Sequence, residues 1–198
     1  MSWFRRTPLD AARWVVIDCE TSGLDAERDR LLSVGCAVVR DGVITNDEFF
    51  EARVRQDSPS SRENIVIHGI GGDAQRGGRS LDAVMRELNA FVGEGLPVAF
   101  HAPFDTAVLR RHGLATRAKW LDLAALAPAL FPHKGKADSP LEHWLAAFGI
   151  APRARHDALG DAFATAQLLL VALSEARRQR VQTVEALRQA ATSRFLRP

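Results

Sequence analysis

The sequence of 198 residues has few of the features that mark small secreted or membrane-embedded proteins. It contains two cysteines, Cys19 and Cys36, too few for a disulfide framework, and both lie in apolar runs typical of buried thiols. No uninterrupted apolar run approaches the roughly 20 residues that span a bilayer, and the first 14 residues lack the apolar segment of a signal peptide. Tyrosine is absent, and lysine is scarce enough that arginine supplies most of the positive charge. The low number of cysteines and the lack of a membrane span or signal peptide predict a protein of the reducing cytoplasm.

Length and composition are those of one globular domain. Apolar residues make up 46% of the chain and charged residues 25%, which argues against a wholly disordered protein. A chain of this length buries a sizeable core without disulfides to hold it together.

The net charge of +2 conceals two basic ends and an acidic body. Residues 1–13 carry three Arg and one Asp, residues 176–198 carry six Arg and one Glu, and the part between them has a net charge of −5. An acidic body suits cations and basic ends suit polyanions, but Arg-rich ends are also typical of solvated helices, and charge alone favours the second interpretation. We divide the chain into a basic N-terminal extension (1–13), a main domain (14–176) and a basic C-terminal helical tail (177–198).

The apolar pattern predicts a sheet that begins with three strands. Residues 14–20 form a short β-branched run without helical period, typical of a strand that is buried on both faces. Residues 31–40 and 43–50 are two further runs, joined by the Asp41-Gly42 dipeptide that favours a tight hairpin turn. Later strands are predicted over 97–101 and near 119–121.

Helical periods alternate with these later strands. Residues 51–79 are predicted to be irregular apart from a short helical turn near 62–68, and Ser80 is a predicted N-cap for a helix that ends at Gly93. The remaining predicted helices cover residues 103–111, 123–130, 140–148 and 157–176. This order of elements predicts an α/β fold with a mixed sheet covered by helices.

Asp18 and Glu20 lie two residues apart at the end of the first predicted strand. Because side chains alternate along a strand, both carboxylates project from one face and Cys19 from the other. Crowded carboxylates repel each other unless a cation compensates, and such hard oxygen ligands suit Mg²⁺ or Mn²⁺. Acids at strand ends also cap the following loop, and for this pair alone that structural role is favoured.

Three further polar residues lie at the ends of predicted elements. Asp105 falls in the first turn of a helix entered through Pro103, where an acid also complements the helix dipole. His156 and Asp161 flank the start of the last helix of the main domain, where a turn histidine and a solvated aspartate are common. Taken together, the carboxylates and one histidine are the groups that metal-dependent hydrolysis of a phosphodiester requires.

Four segments resemble, in order and spacing, the motifs of the DEDD family of 3′–5′ exonucleases. Asp18-Cys-Glu-Thr-Ser-Gly-Leu24 resembles the first motif, Phe100-His-Ala-Pro-Phe-Asp105 the second and His156-Asp-Ala-Leu-Gly-Asp161 the third. Ile67-His-Gly-Ile70 resembles a shorter element of the same family. The resemblance covers about residues 14–175 and points to the histidine subgroup, which includes the epsilon proofreading subunit of bacterial DNA polymerase, ribonuclease T and oligoribonuclease. The absence of tyrosine excludes the tyrosine subgroup.

The resemblance implies a ribonuclease H-like fold with three layers, α/β/α, around a mixed five-stranded sheet. It implies a nuclease that releases nucleoside 5′-monophosphates from the 3′ end of single-stranded nucleic acid, with DNA favoured and RNA as the alternative. Two divalent cations, Mg²⁺ or Mn²⁺, are implied: Asp18 contacts both, Glu20 and Asp161 hold the one that activates water, and Asp105 holds the other. His156 is implied as the general base, a task that suits histidine near neutral pH.

The resemblance also implies a set of substrate contacts: Thr21, Gly23, Leu24, His68, His101 and Phe104. Leu24 and Phe104 match positions that pack against the terminal base, and such contacts tolerate any base, so we expect weak base specificity. For His68 a structural role is about equally favoured. His101 and Phe100 stand where the family usually has Asn and His, but all five positions for the metal ligands and the base are kept, which predicts an active enzyme.

Two alternatives stay open at this point. A non-catalytic nucleic-acid-binding module that keeps the fold is disfavoured by the intact carboxylates and histidine. A structural subunit that docks a protein partner through the basic tail is compatible with activity. Residues 179–198 show no recognisable polymerase- or clamp-binding segment, which favours a nuclease that acts alone or with a different partner.

Overall fold

A mixed sheet of five strands forms the centre of the protein, in a computed structural model that describes residues 7–152 and 156–193. The strands are β1 (Trp14–Thr21), β2 (Leu31–Arg40), β3 (Val43–Arg53), β4 (Leu96–Ala99) and β5 (Leu121–Asp122). Their order across the sheet is β3-β2-β1-β4-β5; the pairs β1–β2 and β2–β3 are antiparallel, and β1–β4 and β4–β5 are parallel. This confirms the predicted mixed five-stranded sheet.

Helices cover both faces of this sheet. They are α1 (Arg62–His68), α2 (Gly72–Arg76), α3 (Leu81–Val92), α4 (Ala102–Arg111), α5 (Leu123–Leu130), α6 (Leu141–Ala147), α7 (Ala158–Arg178) and α8 (Val184–Ser193). Buried side chains of α3 and α4 pack on one face, and those of α5 to α8 pack on the other. The predicted α/β fold with three layers is confirmed.

Strand β1 separates two apolar clusters, because its side chains alternate between the faces. Trp14 and Val16 face the cluster of α5 to α8, whereas Val15 and Ile17 face the cluster of α3 and α4. All four side chains are buried. The same alternation places Asp18 on the face of α7.

Local sequence signals account for several element ends. The turn between β2 and β3 has positive φ at both Asp41 (54°) and Gly42 (77°), as a tight hairpin turn requires. The Ser80 side chain accepts a hydrogen bond from the Ala83 N–H and caps α3. Strand β4 ends at Ala99, two residues earlier than predicted, because the chain turns at positions 100–101 to begin α4.

Three further segments differ between the prediction and the structure. Strand β3 continues to Arg53 because its last residues still pair with β2, whereas the prediction ended it at Phe50. Helix α2 was not predicted, since glycines at both ends of its five residues hide the helical period. The predicted strand near 119–121 lies at Leu121–Asp122.

The tail forms a separate helix that packs against the main domain. Helix α7 ends at Arg178, and α8 then lies on α5 with Val184 and Leu187 almost fully buried. The Val184 N–H also donates to the carbonyl of Thr7 at 3.0 Å, so the two ends of the described chain meet. The proposed domain division stays a prediction, and its residues 1–6 and 194–198 lie outside the described ones.

Within the part of the chain that the structure describes, α7 is the one helix with the length and composition to cross a membrane. Of its most apolar window, 56% is buried inside the protein. It packs across β1 and β2 as the central helix of one layer.

Candidate active site

Three carboxylates converge where β1 ends. Asp18 and Glu20 project from one face of the strand, and Asp161 joins them from the first turn of α7. Each residue offers a carboxylate oxygen, and these oxygens all lie within 4.8 Å of one another. Asp161 is 5% exposed, and Asp18 and Glu20 are half-buried. We call these three residues the carboxylate cluster.

Gly35 on β2 explains how α7 comes so close to the sheet. In the β1–β2 pair, Gly35 lies opposite Asp18. A Cβ atom at this glycine would lie 2.3 Å from backbone atoms of Ala158 and Leu159, so no side chain fits. A glycine inside a strand commonly marks such a close backbone approach. The first turn of α7 therefore rests directly on β2, which brings Asp161 to Asp18.

His156 lies beside the carboxylate cluster through its backbone. Its N–H donates to Oδ2 of Asp161 at 3.0 Å, in a left-handed conformation with φ of 59°. The side chain of Asp157 then caps α7 by accepting the Gly160 N–H at 2.9 Å. The imidazole of His156 is exposed. One ligand of the cluster thus also fixes the backbone that carries the predicted base.

Asp105 approaches β1 from the face of α3 and α4 and lies outside the carboxylate cluster. It is 5% exposed in the first turn of α4, and its carboxylate accepts a hydrogen bond from the Cys19 thiol. Burial raises the pKa of Asp105 to about 7, against the opposing effect of hydrogen bonds from the thiol and from backbone N–H groups. Burial and the nearby Asp105 and Asp18 raise the pKa of Cys19, which keeps the thiol a donor.

Asp122, at the end of β5, fixes the entry to α4. Its Oδ1 accepts the N–H groups of His101 at 3.1 Å, Ala102 at 3.3 Å and Ala124 at 3.0 Å. His101 is left-handed, with φ of 63°, and asparagine and histidine are both enriched in that conformation, so His101 can replace the usual Asn. Its exposed ring contacts the edge of Phe100, with ring centroids 4.8 Å apart. The sequence signal for Asp122, an acid before a helix, predicts a helix cap and no more.

His68 is buried, 5% exposed, inside a chain of hydrogen bonds. Its Nδ1 accepts the Ile70 N–H at 2.9 Å, so Nε2 carries the proton and donates to Oδ1 of Asn64 at 2.7 Å. The Asn64 amide donates to the carbonyl of Thr21 at 3.0 Å. Burial lowers the pKa of His68. These contacts tie α1 to the last residue of β1, and the substrate contact of His68 stays a prediction.

Leu24 lies in the loop after β1 with 92% of its surface exposed. The Thr21 hydroxyl donates to the Gly23 carbonyl at 2.6 Å, which shapes the start of this loop. Phe104 in α4 is half-buried and packs against the apolar cluster of α3 and α4. The substrate contacts of these four residues stay predictions.

The carboxylate cluster suits a divalent cation. Three like charges within 4.8 Å repel one another, and a cation between them removes that repulsion. All the ligand atoms of the cluster are carboxylate oxygens, the type that Mg²⁺ and Mn²⁺ prefer. The residues present therefore fit the divalent metal that the sequence predicts.

Comparison with known proteins places the chain among nucleases. Residues 15–169 match the family described as Exonuclease, of the RNase T type. The chain is 31% identical over 168 residues to a DNA polymerase III PolC-type of Thermotoga petrophila, across 82% of this chain and 12% of that protein. It is 31% identical over 170 residues to a DNA polymerase III subunit epsilon-like protein of Rhodobacter capsulatus, across 83% and 24%. The chain thus spans a small part of these relatives.

Solved structures share the fold. Exonuclease X in complex with 5′ overhanging duplex DNA superposes with a TM-score of 0.73 at 23% identity, over 90% of this chain and 99% of that one. Exonuclease I of E. coli in complex with a dT13 oligonucleotide gives 0.71 at 20% identity, over 85% and 42%. These neighbours confirm the predicted ribonuclease H-like fold. The family match confirms the predicted family and the predicted class of enzyme. Because this match covers most of the sequence, the chain belongs to the exonuclease family.

Proposed function

We propose that the protein is a divalent-cation-dependent 3′–5′ exonuclease that degrades single-stranded nucleic acid to nucleoside 5′-monophosphates. One observation carries the proposal: oxygens of Asp18, Glu20 and Asp161 lie within 4.8 Å of one another. Asp105 beside Cys19 and His156 beside Asp161 complete the set of groups that such hydrolysis needs.

The carboxylates would hold two divalent cations, Mg²⁺ or Mn²⁺. We assign Asp18, Glu20 and Asp161 to one cation, and Asp18 with Asp105 to the other. Cations bound there would supply an activated water molecule and would stabilise the attacking and leaving oxygens of the displacement. Asp161 keeps its hydrogen bond to the His156 N–H, so the ligand of a cation also orients the base.

We assign the general base to His156. A nitrogen of its exposed imidazole takes a proton from the attacking water. The water oxygen bonds to the phosphorus that joins the last two nucleotides, and the bond from phosphorus to the 3′ oxygen of the penultimate nucleotide breaks. That 3′ oxygen takes up a proton, and the terminal nucleotide leaves as a 5′-monophosphate.

We propose DNA as the favoured substrate, with RNA as the alternative. Both relatives named above are DNA polymerase III proteins, and Exonuclease I was solved with a DNA oligonucleotide. Leu24, His101 and Phe104 would contact the terminal nucleotide, and Leu24 is exposed enough to pack against any base. A cytoplasmic location and a protein partner at the C-terminal tail are parts of the same proposal.

The test is a time course on 5′-labelled single-stranded oligonucleotides, with DNA and RNA in parallel. Each substrate is incubated with Mn²⁺, with Mg²⁺ or with EDTA. The Asp18→Ala variant removes the ligand assigned to both cations. The matched control is Asp73→Ala, which removes a fully exposed carboxylate on α2.

We expect a descending ladder of products that requires the metal, that Asp18→Ala abolishes and that Asp73→Ala leaves unchanged. The faster of the two ladders identifies the preferred sugar. Metal binding without a ladder on either substrate would contradict the proposal and favour the non-catalytic binding module.

A further inference from the structure

The loop between β1 and β2 is closed at its base by hydrogen bonds. The Ser22 N–H donates to the Arg30 carbonyl at 3.0 Å, and the Arg30 N–H donates to Ser22 Oγ at 2.9 Å. From α4, the guanidinium group of Arg111 donates to the Asp29 carbonyl. The two ends of the loop are therefore held together and tied to the helix that carries Asp105.

The carboxylate of Asp29 fills the inside of this loop. One oxygen accepts the Ser22 hydroxyl at 2.8 Å, and the other accepts the Asp25 N–H at 2.8 Å. A Cβ atom at Gly23 would lie 2.5 Å from the carboxylate, so a side chain at position 23 collides with it. The backbone from residue 22 to residue 25 thus wraps around a single carboxylate.

Leu24 lies within this wrapped segment, four residues after Glu20. Its side chain is 92% exposed, so its packing contributes almost nothing to folding. The backbone on both sides of it is nevertheless fixed by Asp29, through Ser22 before it and Asp25 after it. A loop backbone that is ordered before a ligand arrives loses little conformational entropy on binding.

We propose that Asp29 is a positioning residue, which holds Leu24 in place to pack against the 3′-terminal base of the substrate. The inference rests on the proposed function. In this role Asp29 touches neither the substrate nor the carboxylate cluster, and acts through the backbone at Gly23 and Leu24. Its removal therefore weakens recognition of the terminal base and leaves the chemical step in place.

The test compares Asp29→Ala and Asp29→Asn with the wild-type protein. Alanine removes both acceptors and opens the space beside Gly23, whereas asparagine keeps the shape, can still accept the Asp25 N–H and can donate to the Ser22 oxygen. Asp25→Ala is the matched control, because it removes an equal charge from the same loop. The exposed Asp25 carboxylate accepts the Glu27 N–H and lies 3.8 Å from the Arg28 guanidinium group, and neither of these contacts involves Ser22 or Gly23. Leu24→Ala and the double variant, with alanine at both positions, complete a double-mutant cycle, which measures whether Leu24 and Asp29 act together.

Each protein is assayed on two single-stranded DNA substrates that differ only at the 3′ end. One ends in an ordinary nucleotide and the other in an abasic nucleotide, which lacks the base that Leu24 would contact. The values of kcat and KM are measured with Mn²⁺, and affinity is measured separately by fluorescence anisotropy with Ca²⁺, which does not depend on turnover.

We expect Asp29→Ala to raise KM and Kd about tenfold on the ordinary substrate, with kcat changed less than about twofold. On the abasic substrate Asp29→Ala and wild type should agree. Leu24→Ala should produce the same loss, the double variant no further loss, and Asp29→Asn should restore most of the affinity.

An equal rise of KM and Kd on both substrates would overturn the inference, since it would show a general loss of structure. Losses that add up in the double variant, or no loss for Asp29→Ala, would also overturn it. If wild type binds both oligonucleotides without hydrolysing them, the proposed function fails, and the ratio of affinities for the two ends still decides on Asp29. If wild type binds neither, both proposals fail.

Discussion

The carboxylate of Asp161 has two roles. It completes the carboxylate cluster, and it accepts a hydrogen bond from the His156 N–H. The first role lowers the stability of the folded protein in the absence of metal, since like charges are held close together. The second role needs only an acceptor oxygen, which an amide also provides. A substitution by asparagine therefore removes the charge from the cluster and keeps an acceptor for the His156 N–H.

We predict that Asp161→Asn raises stability in EDTA and removes the stabilisation by the cation that is assigned to Asp18, Glu20 and Asp161. Removal of one of three like charges relieves roughly 1–4 kcal/mol of repulsion for unit charges about 4 Å apart. A cation at 100 times its Kd stabilises wild type by about 2.7 kcal/mol, and the variant loses this gain. Thermal unfolding with EDTA, Mg²⁺ and Mn²⁺ measures both effects. An Asp161→Asn protein that Mg²⁺ stabilises as much as wild type would refute the assigned metal site.

His156 should affect the rate without affecting metal binding. We predict that His156→Ala lowers kcat about 10²–10⁴-fold, the usual contribution of a general base, because the variant lacks the imidazole that is assigned to take the proton from water. The rise in unfolding temperature with Mn²⁺ should match that of wild type. His133→Ala, which removes another exposed imidazole, is the control. A normal kcat for His156→Ala would remove this residue from the mechanism.

The carboxylate cluster depends on the packing of helix α7 against strand β2. The first turn of the helix lies against the backbone of the strand because Gly35 has no side chain. Asp161 belongs to that turn, so its distance from Asp18 follows directly from this contact.

We predict that Gly35→Ala destabilises the protein and reduces its activity together. The added methyl group pushes α7 away from the sheet at a cost of about 1–3 kcal/mol, as for other overpacked cores. A shift of Asp161 by about 1 Å should lower kcat about 100-fold. Urea unfolding and oligonucleotide hydrolysis measure the two effects. Gly71→Ala is the control, because a Cβ atom there meets nothing within 4 Å, and an equal loss in this variant would contradict the explanation.

The burial of His68 predicts a pH dependence of stability. Burial lowers the pKa of His68 in the folded protein, so the unfolded chain takes up its proton first as the pH falls below about 6.5. The free energy of unfolding then decreases until the pH reaches the folded-state pKa and levels off below it. His68→Gln removes this contribution.

Urea unfolding at pH 8, 6.5 and 5 checks the prediction. The stability of wild type should fall more steeply towards pH 5 than that of His68→Gln, since protonated Nδ1 no longer accepts the Ile70 N–H. Parallel curves for the two proteins would show that His68 makes no pH-dependent contribution.

Both ends of the described chain pack against the main domain. Helix α8 packs on α5 and adds Val184 and Leu187 to the apolar core, and the segment at Thr7 pairs beside it. The tail is therefore a stabilising part of the fold.

We predict that a chain ending at Gln179 loses several kcal/mol of stability, about 1.5–3 kcal/mol for each large apolar side chain that is no longer buried. A chain ending at Ser193 keeps α8 and serves as the control. The midpoint of urea unfolding measures the difference. Equal midpoints for the two chains would show that α8 does not support the core.

Local patterns were enough to predict much of this molecule. The alternation along β1 places Asp18 and Glu20 together, Asp41-Gly42 forms the expected turn, and Ser80 caps the expected helix. Each of these features depends on neighbours within a few residues, which is why one sequence is sufficient to predict them.

The supporting residues could not be predicted in the same way. Gly35 matters because α7, more than 120 residues later in the sequence, lies on it. Asp122 and Asn64 act through hydrogen bonds to His101 and Thr21, residues of other elements. Their partners are determined by the tertiary fold, and neither spacing nor residue type reveals them.

The first product of hydrolysis distinguishes a 3′–5′ exonuclease from other nucleases most directly. A single-stranded DNA oligonucleotide carries a labelled phosphate between its last two nucleotides and is incubated with the protein and Mn²⁺, and the products are separated by chromatography. We predict that the label leaves first, as a nucleoside 5′-monophosphate, and that EDTA or Asp18→Ala prevents its release. Release of the label as a 3′-monophosphate, in longer fragments, or equally well in EDTA would contradict it.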